Sequence, residues 1–165
     1  MYKRQVLADL ALESEAAMVL ALRLARAVDA RADSRARALV RVGTPAAKLW
    51  ICKRAIHAVA ECMEVWGGNG YVEEGPMPRM YRETPVNSIW EGSGNVMALD
   101  VLRALQREPE ALPALEQEFA QAAGRHRAFD DAVARWRALL ADPAHAEFQA
   151  VSYTHLRAHE TKANL

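Results

Sequence analysis

The sequence predicts an all-α protein, an antiparallel helical bundle followed by additional C-terminal helices. Three observations carry this. Apolar residues recur at steps of three and four through several long stretches. Ala and Leu, both strong helix formers, dominate those stretches. No run of alternating apolar and polar residues is long enough to make a useful strand.

The first helix is expected from Val6 to about Ala30, with Leu7, Leu10, Ala17, Ala21, Leu24 and Val28 on its apolar stripe. Arg23, Arg26 and Arg31 crowd its later turns, where positive charge suits the helix dipole. Residues 32–42 are Arg-rich and read either as a helix continuation or as a linker. Gly43-Thr44-Pro45 reads as a start signal, with Thr44 as N-cap and Pro45 at the first helical position. A second long helix then runs to about Trp66, striped by Leu49, Cys52, Ile56, Val59 and Met63, and is stopped by Gly67-Gly68-Asn69-Gly70. Pro76, Pro78 and Pro85 leave room for a short helix around Arg79–Glu83. Residues 85–92 should be extended or turned. A third long helix begins near Ser93, its plausible cap, and runs to about Arg107. Pro109–Gly124 and Arg125–Leu140 complete the set.

Composition narrows the function class. The chain has 165 residues, 52% hydrophobic and 25% charged, which suits one globular domain. Its formal net charge of zero gives no basic footprint for nucleic acid. No apolar run reaches the roughly 18 residues a membrane span needs, and no secretory pattern opens the chain. Cys52 and Cys62 are too few for a disulfide scaffold or a four-cysteine zinc site; two reduced thiols in the cytoplasm is the simpler reading. His57 sits mid-helix and reads as a solvent or core-edge histidine, and His126 and His145 have no ligand-spaced partner, so no metal is expected. Trp50, Trp66 and Trp136 are most simply packing anchors.

The two ends read differently. Val151–Thr161 back-translates to the transposase adapter of tagmentation sequencing libraries, and Met1–Gln5 to the inverted copy of the same adapter end. Residues 1–5 and 151–165 are therefore expected to be adapter-derived, and His155 and His159 in that tail are not read as metal ligands. Residues 6–150 carry 17 basic and 20 acidic side chains, a net of −3.

Chemistry should sit in the connections. In Glu64-Val65-Trp66-Gly67-Gly68-Asn69-Gly70-Tyr71 the glycine pair frees the backbone to approach a ligand, and its amides can face a phosphate. A plain helix-ending turn would carry the same residues. In Asn87-Ser88-Ile89-Trp90-Glu91-Gly92-Ser93-Gly94-Asn95, Glu91 precedes a helix start beside a large aromatic. In a cleft it would lose water and gain proton affinity, as a general base requires. Alone, an exposed turn carboxylate or a helix N-terminal charge is the simpler reading. Arg82, beside Glu83 and nine residues before Glu91, is a candidate to order this loop by an ion pair.

Together the two segments, with Arg82-Glu83 between them, resemble the acyl-CoA dehydrogenase family. Met77–Met97 and the Leu99–Leu105 continuation are most similar to its AidB-like branch, the flavoproteins of the adaptive response to DNA alkylation. The resemblance covers about 6–107, which it marks as the family's C-terminal helical domain. Residues 108–150 are compatible with a partial C-terminal extension. It implies a flavoenzyme in which Glu91 is the catalytic base, removing the α proton of an acyl-CoA thioester while a β hydride goes to FAD. It places Trp90, Gly92, Ser93 and Asn95 at the FAD, the last three near a helix N-terminus suited to anions. Trp90 and Gly92 would also border the substrate. Glu64, Gly67 and Gly68 would touch the FAD of a neighbouring subunit in a homotetramer.

Departures from the family pattern carry expectations of their own. Glu64 stands where the family has Gln, so it should face a ribose hydroxyl or a basic neighbour rather than the FAD pyrophosphate. Trp90 replaces the usual Tyr and could narrow the acyl pocket. The family's N-terminal helical domain and β-domain have no counterpart in 6–150, so this piece alone is expected to be inactive. The AidB-like branch also implies double-stranded DNA as a partner. Charge does not, since residues 108–150 hold four Arg against eight Asp and Glu.

Overall fold

A computed structural model describes residues 2–141. Residues 142–165, which include the adapter-like tail, His145 and the end of the C-terminal extension, lie outside the described residues. Six α-helices appear in order: α1 (Tyr2–Asp29), α2 (Ser34–Val65), α3 (Met77–Glu83), α4 (Gly94–Arg107), α5 (Ala111–Ala120) and α6 (Arg127–Leu140). Two 3-10 turns, Gly67–Gly70 and Thr84–Ser88, flank α3. No strand occurs among the described residues. Residues 2–5, set aside above, form the first turn of α1.

α2 is the spine, against which α1, α3, α4, α5 and both 3-10 turns pack. Leu24 meets Gly43 and Glu13 meets Arg54, so α1 and α2 run antiparallel. Gly94 lies on Leu49 and Asp100 on Arg41, so α4 is antiparallel to α2 as well. α6 returns along α5, where Phe119 meets Trp136 edge to face at 5.0 Å and Arg137 grips Glu116.

The start of α2 differs from expectation. It begins at Ser34, with the Asp33 carboxylate accepting from the Ala36 N–H at 3.0 Å, and runs unbroken through Thr44 and Pro45. Gly43 is a packing position and not a helix boundary: a Cβ there would press on Leu24 Cδ2 at 2.8 Å. Pro45 and Ala47 are buried, so tertiary packing offsets the hydrogen bond that an interior proline forfeits.

The core is narrow. Ala27, Ala38, Leu39 and Ala114 form one buried cluster, and Val42, Ala104 and Ala111 a second. Larger side chains line outer faces, among them Leu12, Met18 and Leu22 of α1. Such unpartnered apolar surface is characteristic of a face that another body covers. Arg23 ties α1 to α5 through both oxygens of Glu118. Among the expected anchors, Trp136 packs as read and Trp50 lies under the Arg54 guanidinium, 5.2 Å from its ring centre. Trp66 does not anchor: at the end of α2 it is 58% exposed. His57 is exposed, and among the described residues no helix is long and apolar enough to cross a membrane.

Candidate active site

The turn that carries Glu91 is built from the chain before it. Thr84 and Ser88, the buried polar pair of the second 3-10 turn, satisfy their hydroxyls locally, Thr84 on the Met80 carbonyl at 2.6 Å and Ser88 on the Pro85 carbonyl at 2.9 Å. They face inward while Val86, Ile89 and Trp90 face out. The amides of Ile89 and Trp90 both donate to the Val86 carbonyl, at 2.9 and 3.0 Å. The chain then bends sharply: Glu91 has φ of 55° and Gly92 of 124°. A left-handed non-glycine residue costs about 1–2 kcal/mol, so its surroundings must impose it. They do so from α2. Lys48 Nζ donates to the Trp90 carbonyl at 2.7 Å and also to the Gly92 carbonyl. Gly94 lies flush on α2, where a Cβ would meet Leu49 Cδ1 at 3.1 Å and Lys53 Cε at 3.2 Å.

Glu91 is exposed on this turn, and Trp90 beside it is 57% exposed. The cleft expected around Glu91 is not formed by the described residues: the turn supplies one wall, and no second wall faces it. Ser93 takes the N-cap position of α4 with extended backbone, but its side chain makes no capping bond and is free for another partner. Asn95 is half-buried in the first turn of the same helix.

The glycine motif sits elsewhere. Glu64 is exposed in the last turn of α2, and Gly67 and Gly68 are exposed just beyond it. Gly67 has φ of 63°, and a Cβ on either glycine would meet nothing within 4 Å. Their backbone is therefore open to a ligand. Gly70 differs, since its Cβ would strike the Met63 carbonyl, so it is glycine for packing. Lys48 and Val65 are separated by about 25 Å of helix at 1.5 Å per residue. The structure thus does not bring Glu64, Gly67 and Gly68 to Trp90, Glu91, Gly92, Ser93 and Asn95 within one chain.

Arg82 pairs not within the Glu91 turn but with a carboxylate of the segment before α3. It takes both oxygens of Glu73, at 2.7 and 2.9 Å, while Arg79 holds Glu83 at 2.9 Å. Arg82's hydrogen bonds keep the Glu73 carboxyl below its ordinary range. The sequence had signalled no role for Lys48, which lies 43 residues before Glu91. A groove of about 750 Å³ between α1 and α2 is bordered by Glu13, Arg54 and His57, and by none of the candidate residues.

A helical hairpin with a glycine turn at one end and a constrained glutamate turn on its flank defines a class. The chain belongs to the acyl-CoA dehydrogenase family: the model of the acyl-CoA dehydrogenase C-terminal domain matches residues 2–106. Within that family it is 52% identical over 141 residues to "Putative acyl-CoA dehydrogenase AidB" of Escherichia coli (strain K12), covering 86% of this chain and 26% of that protein. Among solved structures, the apo form of Bd2924 superposes with a TM-score of 0.75 at 30% identity, over 90% of this chain and 30% of that one. Caenorhabditis elegans ACDH-11 in complex with C11-CoA superposes with a TM-score of 0.68 at 26% identity, over 96% of this chain and 26% of that one. The chain therefore spans between a quarter and a third of the length of these relatives.

Proposed function

We propose that this chain is the C-terminal helical piece of an AidB-like, FAD-dependent acyl-CoA dehydrogenase, in which Glu91 is the catalytic base. The observation that carries the reading is the strained Glu91 turn, held rigidly against α2 with its carboxylate left free. A non-glycine residue kept in a left-handed backbone at the mouth of a helix is a common device of functional sites.

The residues fit the cofactor. Gly67 and Gly68 leave open the space that a Cβ would fill, so backbone amides can approach a phosphate there. Ser93, unengaged at the N-terminus of α4, and Asn95 in its first turn suit an anionic or hydroxyl group. The distance between the two segments favours each serving a different FAD, one in its own subunit and one in a neighbour, and hence a homotetramer. The exposed apolar stripe of α1 supports such burial. Glu64, exposed beside Gly67, is placed for a ribose hydroxyl.

In the reaction, the Glu91 carboxylate takes the proton α to the thioester carbonyl. The electron pair left on Cα forms the new Cα=Cβ bond as the β hydrogen leaves with its own pair as hydride. When bound, FAD supplies the acceptor for that hydride. Trp90 and Gly92 border the acyl chain. The neighbouring domains of the intact protein would supply the wall that faces Glu91 and exclude water. The free thiols Cys52 and Cys62 suit a reducing cytoplasm.

The second reading, a DNA-bound protective role, gains nothing from charge. Arg137 is engaged by Glu116, Arg127 lies 3.8 Å from Asp131, and the C-terminal segment is acidic.

The test uses the full-length flavoprotein, wild type and Glu91→Gln. Flavin absorbance is followed anaerobically on adding a panel of saturated acyl-CoAs that includes C11-CoA. Bleaching by at least one of them, slowed about 100-fold or more in the variant, is expected. A bound flavin that no acyl-CoA bleaches would refute the dehydrogenase reading.

A further inference from the structure

We propose that Lys48 is the positioning residue for Glu91: its ammonium clamps the carbonyls on either side of that residue and so fixes where the carboxylate points. The inference rests on Glu91 being the base, and extends that reading to a residue of α2 with no part in the chemistry itself. Three features support it.

Both bonds go to backbone carbonyls, of Trp90 and of Gly92, and so bracket Glu91 alone. Positive φ at Glu91 and at Gly92 turns the two flanking peptide planes so that one Nζ can reach both oxygens. The clamp stands on a long helix and not on a loop. Lys48 follows the buried Pro45 and Ala47, and its neighbour Leu49 supports Gly94 from below. A group on a rigid element holds geometry better than one on a loop.

Without the ammonium, the exposed Trp90 carbonyl and the part-buried Gly92 carbonyl would both lose this donor, and the strained turn would be free to relax toward an ordinary backbone. The carboxylate would then swing out of line, and a misplacement of even about 1 Å is worth on the order of 100-fold in rate.

The experiment uses the full-length flavoprotein as wild type, Lys48→Met, Lys48→Arg and Glu91→Gln. Two quantities are read: amide hydrogen exchange of the 86–97 segment, and the rate of flavin bleaching by the acyl-CoA of the panel above that acts fastest on wild type. Lys48→Met should exchange that segment about tenfold or more faster while α1 is unchanged, a local opening rather than global loss of structure. It should bleach at least about tenfold more slowly with full flavin occupancy. Lys48→Arg, which keeps a charged donor but not the point geometry of one Nζ, should fall between wild type and Lys48→Met in both.

Unchanged exchange in Lys48→Met, or faster exchange with an unchanged bleaching rate, would overturn the proposal. A Glu91→Gln protein that bleaches like wild type would refute the base, and with it the clamp's purpose, whatever Lys48→Met does. Should Lys48→Met fail to fold, Lys48→Ala purified with ethylammonium replaces it. Bleaching that rises with added amine supports the clamp, and bleaching indifferent to the amine overturns it.

Discussion

Arg41 grips Asp100 with both arms of its guanidinium, Nη1 to Oδ2 at 2.8 Å and Nη2 to Oδ1 at 2.9 Å. The pair sets the register of α4 against α2. Two turns further along the same face of α2, Lys48 reaches the turn that precedes α4. One helix thus fixes both the height of α4 and the bend that presents Glu91.

The Arg41–Asp100 pair should have a measurable but modest value. The Asp100 side chain is 30% exposed, so solvent screening limits the contribution to about 0.5–1 kcal/mol. Asp100→Asn should lower the unfolding free energy by that amount at neutral pH, read by urea denaturation. Hydrogen bonding to Arg41 pulls the Asp100 carboxyl below its ordinary 3.8, against the opposing effect of burial. The unfolded chain therefore binds that proton more readily than the folded one. The stabilisation is present above the unfolded value and is lost as pH falls through the folded one. The gap between wild type and Asp100→Asn should hold steady from about pH 5 to 7 and close below about pH 4.

Gly92 should not tolerate a side chain. Its φ is 124°, and a Cβ would run into Met97 Cε. Gly92→Ala should cost about 1–3 kcal/mol, chiefly from backbone strain, since the flexible end of Met97 can move aside. Adding Met97→Ala should not restore wild-type stability, because it removes the clash and leaves the strain. Full recovery in the double variant, by chemical denaturation, would show that φ contributes nothing.

Two glycines of one motif should separate by role. Gly68→Ala meets open space and should change unfolding by no more than about 0.5 kcal/mol, yet lower flavin occupancy in the full-length protein. Gly70→Ala drives a Cβ into the Met63 carbonyl and should cost about 1–3 kcal/mol. Equal loss of stability in both would remove the case for a ligand at Gly68.

Trp90→Tyr should widen the acyl pocket in the full-length flavoprotein. The ratio of kcat/KM for long over short acyl-CoAs should rise by about tenfold, the scale of a methylene or two in an apolar pocket. An unchanged ratio would mean that Trp90 does not border the chain.

Much of this was legible in the sequence. Period and composition located six helices, because the outer long helices lay one face on a neighbour and α2, though packed on several sides, is rich in helix formers. Gly43-Thr44-Pro45 misled because local boundary signals say nothing of tertiary contact: Gly43 is small for Leu24, and Pro45 is buried. Asp33, three residues before Ala36, was the true cap signal. Arg82 and Glu83 were too close in sequence to pair, since adjacent helical side chains diverge; Arg79, four residues before Glu83, takes it instead. The cleft at Glu91 was not legible as a property of this chain, because a two-walled site needs a second body. Lys48 left no local signature, since its partners are main-chain atoms that any residue could supply.

The most direct test of Glu91 as base separates proton removal from hydride loss. The full-length flavoprotein is held in heavy water with an acyl-CoA whose β carbon is replaced by sulfur, which can lose an α proton and has no β hydride to give. Mass spectrometry then follows deuterium entering the α position. Wild type should incorporate deuterium, and Glu91→Gln should do so about 100-fold or more slowly. Incorporation at equal rates in both proteins would contradict the account.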